Sequence, residues 1–395
     1  MLRNRVALVI GRVEEKTGAP RRLMLLASLL VRHDFEVIVV GNDSEVLRQL
    51  SSTYNVPLKT MPFKKYTIHR ASGPQGALYK VYGIVGDLTH ALIQNIKFFC
   101  WVRKMSIGII VARGSRNILS CALLAKILDK KLSLVWDIGY EPESIGLVLK
   151  LHKVCFSLAN SVVAQNEGCL SGIEDLHPEA GDKITTILPA IDSSFLKKYS
   201  VIHSKKMPSP LRVSLLQVGT ICDRKNQLFS IQVLRELMLL LPEYDIRLVF
   251  VGGEGRDAEY TSTLINKVSR HDLQSSVDLI GWSDVVDEYM LKADFLLMPS
   301  KNEGVSNTIQ EAMVLGLPVV ATDVGGVSAL VCDGVSGVVI KDMDASLWAG
   351  RIVNLVNNPG LYSALSTSAQ EVARGEFSEE SWAGRYVQVL EQSIV

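Results

Sequence analysis

The sequence predicts an α/β chain made of two halves, each wound around a parallel sheet. Three observations predict it. The chain opens strand–helix–strand, the unit that joins parallel neighbours. The alternation pauses at a polar, proline-containing stretch, His203 to Pro210, and then restarts. Finally, 48% of the residues are hydrophobic, enough for each half to bury a core.

The elements follow in order. "RVALVIG" is a buried strand, "GAPRRLMLLASLLVRHD" a helix and "FEVIVVG" the next strand. "IGIIVAR", "LSLVWDIG" and "SVVAQ" continue the sheet, with the helix "NILSCALLAKILDK" between the first two. After the pause come the strands "LRVSLLQVG", "IRLVFVGG", "VDLIGW", "FLLMPS", "PVVATD" and "SGVVI". The helices "NQLFSIQVLRELMLLL" and "AEYTSTLINKVSR" lie among them. The last helix, "SEESWAGRYVQVLEQS", opens on a serine, a capping residue.

Charge and composition exclude several classes. A net charge of +1 gives no general attraction to nucleic acid. The six cysteines form no C-x-x-C pair, so they read as free thiols of a reducing compartment. The seven histidines show no H-x-x-x-H spacing, so no metal site is expected. The apolar run Val6 to Ile10 is too short for a signal-peptide core, and no uncharged apolar run reaches membrane-spanning length. The expected location is therefore the cytoplasm. "ALIQNIKFFCWVRKM", residues 91–105, carries two apolar stripes. Leu92, Ile96 and Phe99 form one; Phe98, Trp101, Val102 and Met105 form the other. The second lies beside Lys97, Arg103 and Lys104. It reads either as a second buried face or as a peripheral contact with the inner face of a membrane.

The most informative stretch is "PSKNEGVSNTIQEAMVLGLPVVATDVGG", Pro299 to Gly326. Pro299 and Ser300 end a strand, "KNEGVSN" is a loop, and a helix starts at Asn307 or Thr308 and stops at Gly316 before Pro318. Glu303 then lies in the loop and Glu311 in the first helical turn. In open α/β sheets ligands bind beyond the carboxyl ends of the strands, and a helix N-terminus there favours an anion. A plainer reading stands beside this one. Thr308 and Glu311 alone make a T-x-x-E capping box. That box explains neither Glu303 nor the glycines after the next strand.

These residues resemble the E-x₇-E signature of retaining GT-B glycosyltransferases of family 4, the glycosyl transferases group 1. The match runs through Ser300, Glu303, Gly304, Asn307, Glu311, Ala312, Met313, Gly316, Pro318 to Asp323, Gly325 and Gly326. "FVGGEG", "VDLIGWSDVVDEYMLKADFLLMPS", "DGVSG" and "ILPAID" resemble further family segments, so the likeness covers nearly the whole chain.

The resemblance implies a GT-B fold, two Rossmann-like domains facing across a cleft. An acceptor-side domain would span 1–200 and a donor-side domain 209–375, and a C-terminal helix, 376–395, would return to the first. It implies transfer of a sugar, with retention, from a nucleotide-diphosphate sugar to a glycan or lipid-linked acceptor, without metal or cofactor. The pathway would be polysaccharide, lipopolysaccharide or glycolipid biosynthesis.

By the same resemblance Glu303 and Lys225 are the catalytic residues. Gly18, Thr220, Arg224, Lys225, Glu303, Gly304, Val305, Ser306, Asn307 and Glu311 bind the donor. Glu303 would meet the sugar hydroxyls, Glu311 the ribose, and Lys225 the diphosphate. Thr220 stands where the family has an arginine; Arg224, beside Lys225, can supply that charge. Gly18 to Arg22 correspond to the family's G-G-x-E-R loop, and Arg21 and Arg22 oppose the helix dipole, a hint of an anionic partner. Where the family often has a histidine, "VWDIGYEP" offers Asp137, Tyr140 and Glu141. Two rivals stay open: a nucleotide-sugar epimerase on the same fold, and a non-catalytic sugar-nucleotide binding protein.

Two other patterns read as incidental. Gly253, Gly255 and Ala258 spell G-x-G-x-x-A, but Asp278, at the dinucleotide spacing, begins a strand instead of ending one. Asp342 and Asp344 spell D-x-D, and Asp344 reads better as a helix cap.

Overall fold

The computed structural model describes residues 4–14, 18–63, 74–139, 146–166, 183–201, 204–205, 211–255 and 258–394, with backbone alone at 18–19, 74–88 and 146–149. Two compact units divide the chain. The first holds Met1–Gln165, Cys169–Ala190 and Glu379–Val395; the second holds Asn166–Gly168 and Ile191–Ser378.

Seven parallel strands build the first sheet: β1 (Arg5–Gly11), β2 (Glu36–Gly41), β3 (Leu58–Thr60), β4 (Ile109–Arg113), β5 (Ser133–Ile138), β6 (Ser161–Ala164) and β7 (Ile184–Thr186). Their spatial order is β3-β2-β1-β4-β5-β6-β7. Leu8 of β1 stands opposite Val39 of β2 and Val111 of β4. The strands are apolar at consecutive positions because both faces are covered. Val6, Leu8, Val37 and Val111 point to one face, packed by the helices Gly18–Arg32, Glu45–Tyr54 and Glu379–Ser393. Ala7, Val9, Ile110 and Leu134 point to the other. That face is packed by the helices Pro74–Lys104 and Gly146–Leu158 and by the helical run 114–128, which widens into a π-turn at Ile118–Ala122.

The second sheet has six parallel strands: β8 (Arg212–Val218), β9 (Asp245–Val251), β10 (Val277–Gly281), β11 (Phe295–Met298), β12 (Val319–Thr322) and β13 (Val338–Ile340). Their order is β10-β9-β8-β11-β12-β13. Both sheets therefore grow outward from their first strand in opposite directions, the doubly wound arrangement. In the second unit the direction reverses between β8 and β11, so the loops leaving those strands flank the switch point.

Three expectations are resolved here. The first concerns residues 91–105. Of its two readings, the second stripe takes the buried one and packs on the sheet. Phe98 and Val102 are buried, while Trp101 and Met105 are half-buried against the same cluster. The residues left outside are Leu92, Ile93 and Ile96. The bulkier stripe took the sheet because it buries more apolar area. The second concerns the domain boundary, which falls at Ala190 instead of residue 200. Beyond it, the Ile191 N–H donates to the Phe377 carbonyl, and Lys198 and Tyr199 both bond Asp287. Those contacts tie 191–201 into the second unit. The third is the stretch read as a linker. It falls within the second unit and not between the two; residues 204 and 205 are described, with Lys205 Nζ donating to the carbonyls of Met290 and Leu291 at 2.9 Å each, and the rest lies outside the described residues.

Asp344 is a helix cap. Its Oδ1 accepts from the Ser346 and Leu347 N–H groups ahead of the helix Ala345–Asn357. The C-terminal helix, Glu379–Ser393, lies in the first unit. Trp382, Tyr386 and Leu390 are buried in its core, and the Ser393 carbonyl accepts from Ser133 Oγ at 2.5 Å.

Candidate active site

The candidate site sits in the second unit, at the carboxyl ends of β8 and β11. Strand β8 runs into Gly219, whose φ of +141° lies outside the comfortable range of other residues. A Cβ there would lie 3.0 Å from Lys225 Cε, so the missing side chain leaves room for the lysine. A 3₁₀ turn, Asp223–Lys225, follows, and Asn226 in the left-handed region (φ +56°) starts the helix Gln227–Leu240. Buried Gln217 fixes this turn. Its Nε2 donates to the Lys225 carbonyl at 2.7 Å, and its Oε1 accepts from Ser230 Oγ at 2.7 Å.

Strand β11 delivers Ser300 and the loop beyond it. Glu303, 7% exposed, meets three donors through a single oxygen. Oε1 accepts from Lys225 Nζ at 2.6 Å, from Ser300 Oγ at 2.7 Å and from Arg224 Nη1 at 3.2 Å. The Arg224 guanidinium also donates to the Asn302 carbonyl at 3.1 Å. Oε2 takes part in none of these bonds. A buried carboxylate needs partners of this kind, because a lone charge there would cost several kcal/mol, about. The cluster thus holds one anion between two cations, with a second carboxylate oxygen to offer.

Glycines lock the surrounding loops backbone to backbone. A Cβ on Gly252 would sit 2.1 Å from the Gly219 carbonyl oxygen, and one on Gly255 2.5 Å from that of Ile221. The Ile221 N–H donates to the Gly253 carbonyl, and the Gly255 N–H to that of Ile221. The G-x-G after β9 therefore clasps the β8 loop. After β12, Gly325 has φ +55°, and a Cβ on it would fall 1.6 Å from the Glu303 carbonyl oxygen. The Gly326 N–H donates to the Gly304 carbonyl at 3.3 Å.

The helix Asn307–Val314 is capped by Ser306, whose Oγ accepts from the Ile309 N–H. This replaces the Thr308–Glu311 capping box of the sequence reading. The helix starts at Asn307, one of the two starts read from the sequence, with its cap two residues before Thr308, so Glu311 stands in the second turn, half-buried, beyond the reach of a first-turn cap. Gly304, Val305 and Ser306 are buried beside Glu303, and Asn307 is half-buried. Thr220 is exposed on the β8 loop, and its carbonyl accepts from Gln227 Nε2 at 3.0 Å.

The structure thus brings together Lys225, Arg224, Glu303 and the loop to Asn307. Gly18 opens the helix Gly18–Arg32 in the other unit. Tyr140 and Glu141 lie outside the described residues. Asp137 is buried in a structural cluster: it pairs with Arg113, accepts from Gln165 Nε2, and accepts from the Tyr386 hydroxyl at 2.5 Å. Burial first, and the Asp137 charge next, push the Tyr386 phenol well above its usual range, so it stays a donor. Two contributors escaped the sequence reading. Ser300 belonged to the matched pattern, but its bond to Glu303 shows only in three dimensions. Gln217 looked like one more polar residue ending a strand.

Comparison with known proteins agrees with this picture. Residues 212–358 match the family model of the glycosyl transferases group 1. A D-inositol 3-phosphate glycosyltransferase from Thermobispora bispora is 26% identical over 65% of this chain and 61% of its own length. An uncharacterized glycosyltransferase from Methanocaldococcus jannaschii is 32% identical over 31% of this chain and 35% of its own. The matches therefore span less than two thirds of those relatives. The crystal structure of Anabaena HepE in complex with UDP superposes with a TM-score of 0.77 at 16% identity, covering 98% of this chain and 99% of that one. That likeness shows the fold, and it is the GT-B class.

Proposed function

We propose, for a chain whose residues 212–358 match the family model of the glycosyl transferases group 1, that it transfers a sugar from a nucleotide-diphosphate donor to a hydroxyl acceptor, with retention. The observation that carries this reading is the Lys225–Glu303–Arg224 cluster at the switch point of the second sheet. Glu303 keeps Oε1 on its cations and offers Oε2 to sugar hydroxyls. Charge-assisted bonds of that kind contribute about 1.5–3 kcal/mol each. Lys225 and Arg224 face the diphosphate, where negative charge grows as the nucleotide leaves. Arg224 thereby takes the part that Thr220 cannot. Backbone N–H groups of Gly304 to Ser306 assist, and Asn307 borders the same loop.

In the step itself the bond from the anomeric carbon to the phosphate oxygen breaks. The bond to the acceptor oxygen forms on the same face. The acceptor proton passes to the departing phosphate oxygen, so no protein nucleophile is needed. The acceptor is a glycan or lipid-linked intermediate of polysaccharide, lipopolysaccharide or glycolipid synthesis, met in the cytoplasm. UDP-sugars head the donor screen, since the HepE structure holds UDP. The test is release of nucleoside diphosphate. Release only when acceptor is present supports transfer. Interconversion of the donor without acceptor would establish an epimerase, and binding without turnover a sensor.

Turnover should survive chelation, because two cations already stand where a metal's charge would act. An assay in EDTA checks this, and activity abolished by EDTA and rescued by magnesium or manganese would refute it.

Glu311→Ala should weaken donor and free nucleotide together, by about tenfold, the loss expected for one charge-assisted bond to ribose. Calorimetric titration with the nucleoside diphosphate measures it. An unchanged Kd would remove Glu311 from the ribose.

A further inference from the structure

The face of the first unit turned away from the sheet, formed by the helix Pro74–Lys104 and its two neighbours, has an unusual surface. Leu92, Ile93 and Ile96 on that helix are 56%, 50% and 46% exposed. On the adjoining helix Leu123–Leu128, Ile127 and Leu128 are 53% and 57% exposed. The two helices lie side by side, pinned by buried Asn95. It donates to the Leu119 carbonyl at 2.8 Å and accepts from the Leu124 N–H at 3.1 Å. The third helix, Gly146–Leu158, packs on the same face of the sheet and exposes Val154.

The charges on this layer are one-sided. Between His90 and Leu132 the sequence holds eight Lys or Arg, of which Arg113 of β4 pairs with Asp137, and a single acid, Asp129, although the whole chain has a net charge of only +1. Lys97, Arg103, Lys104, Lys130 and Lys131 are all exposed there. Lys150 and Lys153 add to them on the third helix. The Arg103 guanidinium lies over the Phe99 ring, 5.8 Å from its centroid, a cation set against an aromatic face.

We infer that this layer docks on an anionic lipid bilayer. Apolar side chains flanked by cations, on helices that lie along the surface, fit the boundary between headgroups and acyl chains. Basic residues are drawn to the negative surface of such a leaflet. A second copy of the chain would set this positive face against itself, and like charges directly opposed disfavour that pairing. Among the described residues no helix is long and apolar enough to cross a membrane, so the contact is peripheral.

The experiment is sedimentation of the full chain with vesicles of phosphatidylcholine alone and of phosphatidylcholine with phosphatidylglycerol. The protein should pellet with the mixed vesicles, release in high salt, and stay in solution with phosphatidylcholine alone. Two double variants follow, Ile93→Ser with Ile96→Ser and Lys130→Glu with Lys131→Glu. Each should lower the affinity for mixed vesicles by about tenfold or more while melting as the parent does. If the serine pair melts early, the glutamate pair carries the test. Failure to bind mixed vesicles, equal binding to both vesicles, or full binding by the variants would overturn the inference. So would a dimer, seen by sedimentation velocity, that these variants dissociate. None of these residues belongs to the donor site, so UDP-induced thermal stabilisation should be unchanged in every variant.

Discussion

Lys225→Ala should cut turnover about a hundred- to a thousandfold, the usual loss when one stabiliser of developing charge is removed. Lys225 is 8% exposed and stands 2.6 Å from Glu303. Its removal therefore acts twice. It takes a cation from the leaving group, and it strips a partner from a buried carboxylate. The second effect alone should cost up to about 3 kcal/mol of stability, less than a bare charge would, because Ser300 and Arg224 remain. The two effects can be separated. Assayed well below its melting temperature, where it stays folded, Lys225→Ala should still turn over slowly. Near-normal turnover there would make Lys225 a structural partner of Glu303 and no more.

Gly325→Ala should be the most damaging small change in the second unit. The residue has φ +55°, and the added methyl would fall 1.6 Å from the Glu303 carbonyl oxygen. No side chain can move aside, because the obstacle is backbone. The expected cost is about 3 kcal/mol or more, with loss of donor binding as the 303–306 loop is displaced. Gly334→Ala is the control. Its φ is +73°, but a Cβ there meets nothing within 4 Å. It should cost only the conformational term, about 1 kcal/mol. Equal melting temperatures for the two variants would show that the clash at Gly325 is relieved at no cost.

Gly325 also shows what could be read from the chain. The G-G pair after a strand was visible as a pattern, and with it the doubly wound class and the loop carrying Glu303. Strand–helix alternation and punctuating glycines are local signals, so the long elements were legible. Strands β3 and β7, three residues each, carry too little pattern to stand out. Residues 91–105 left two readings open for another reason. Two apolar stripes on one helix compete for one sheet, and the choice is made by the partner surface. The helix start at Asn307 turned on which of Ser306 and Thr308 caps, two equally suitable residues. Asp137 looked like a free acid at a strand end, and only the fold reveals Arg113 and Tyr386 around it.

The C-terminal helix has a consequence for synthesis. Trp382, Tyr386 and Leu390 complete the core of the unit that begins with the first strand, more than three hundred residues upstream. Residues 191–378 form the other unit without that helix. On the ribosome, then, the unit made second can finish folding first. The unit made first must wait, with one face of its sheet incompletely covered, until the helix Glu379–Ser393 emerges. An unfinished apolar face of that kind is prone to aggregate, and it is the surface a chaperone would hold. A chain stopped near Ser378 would leave the second unit whole and the first permanently open.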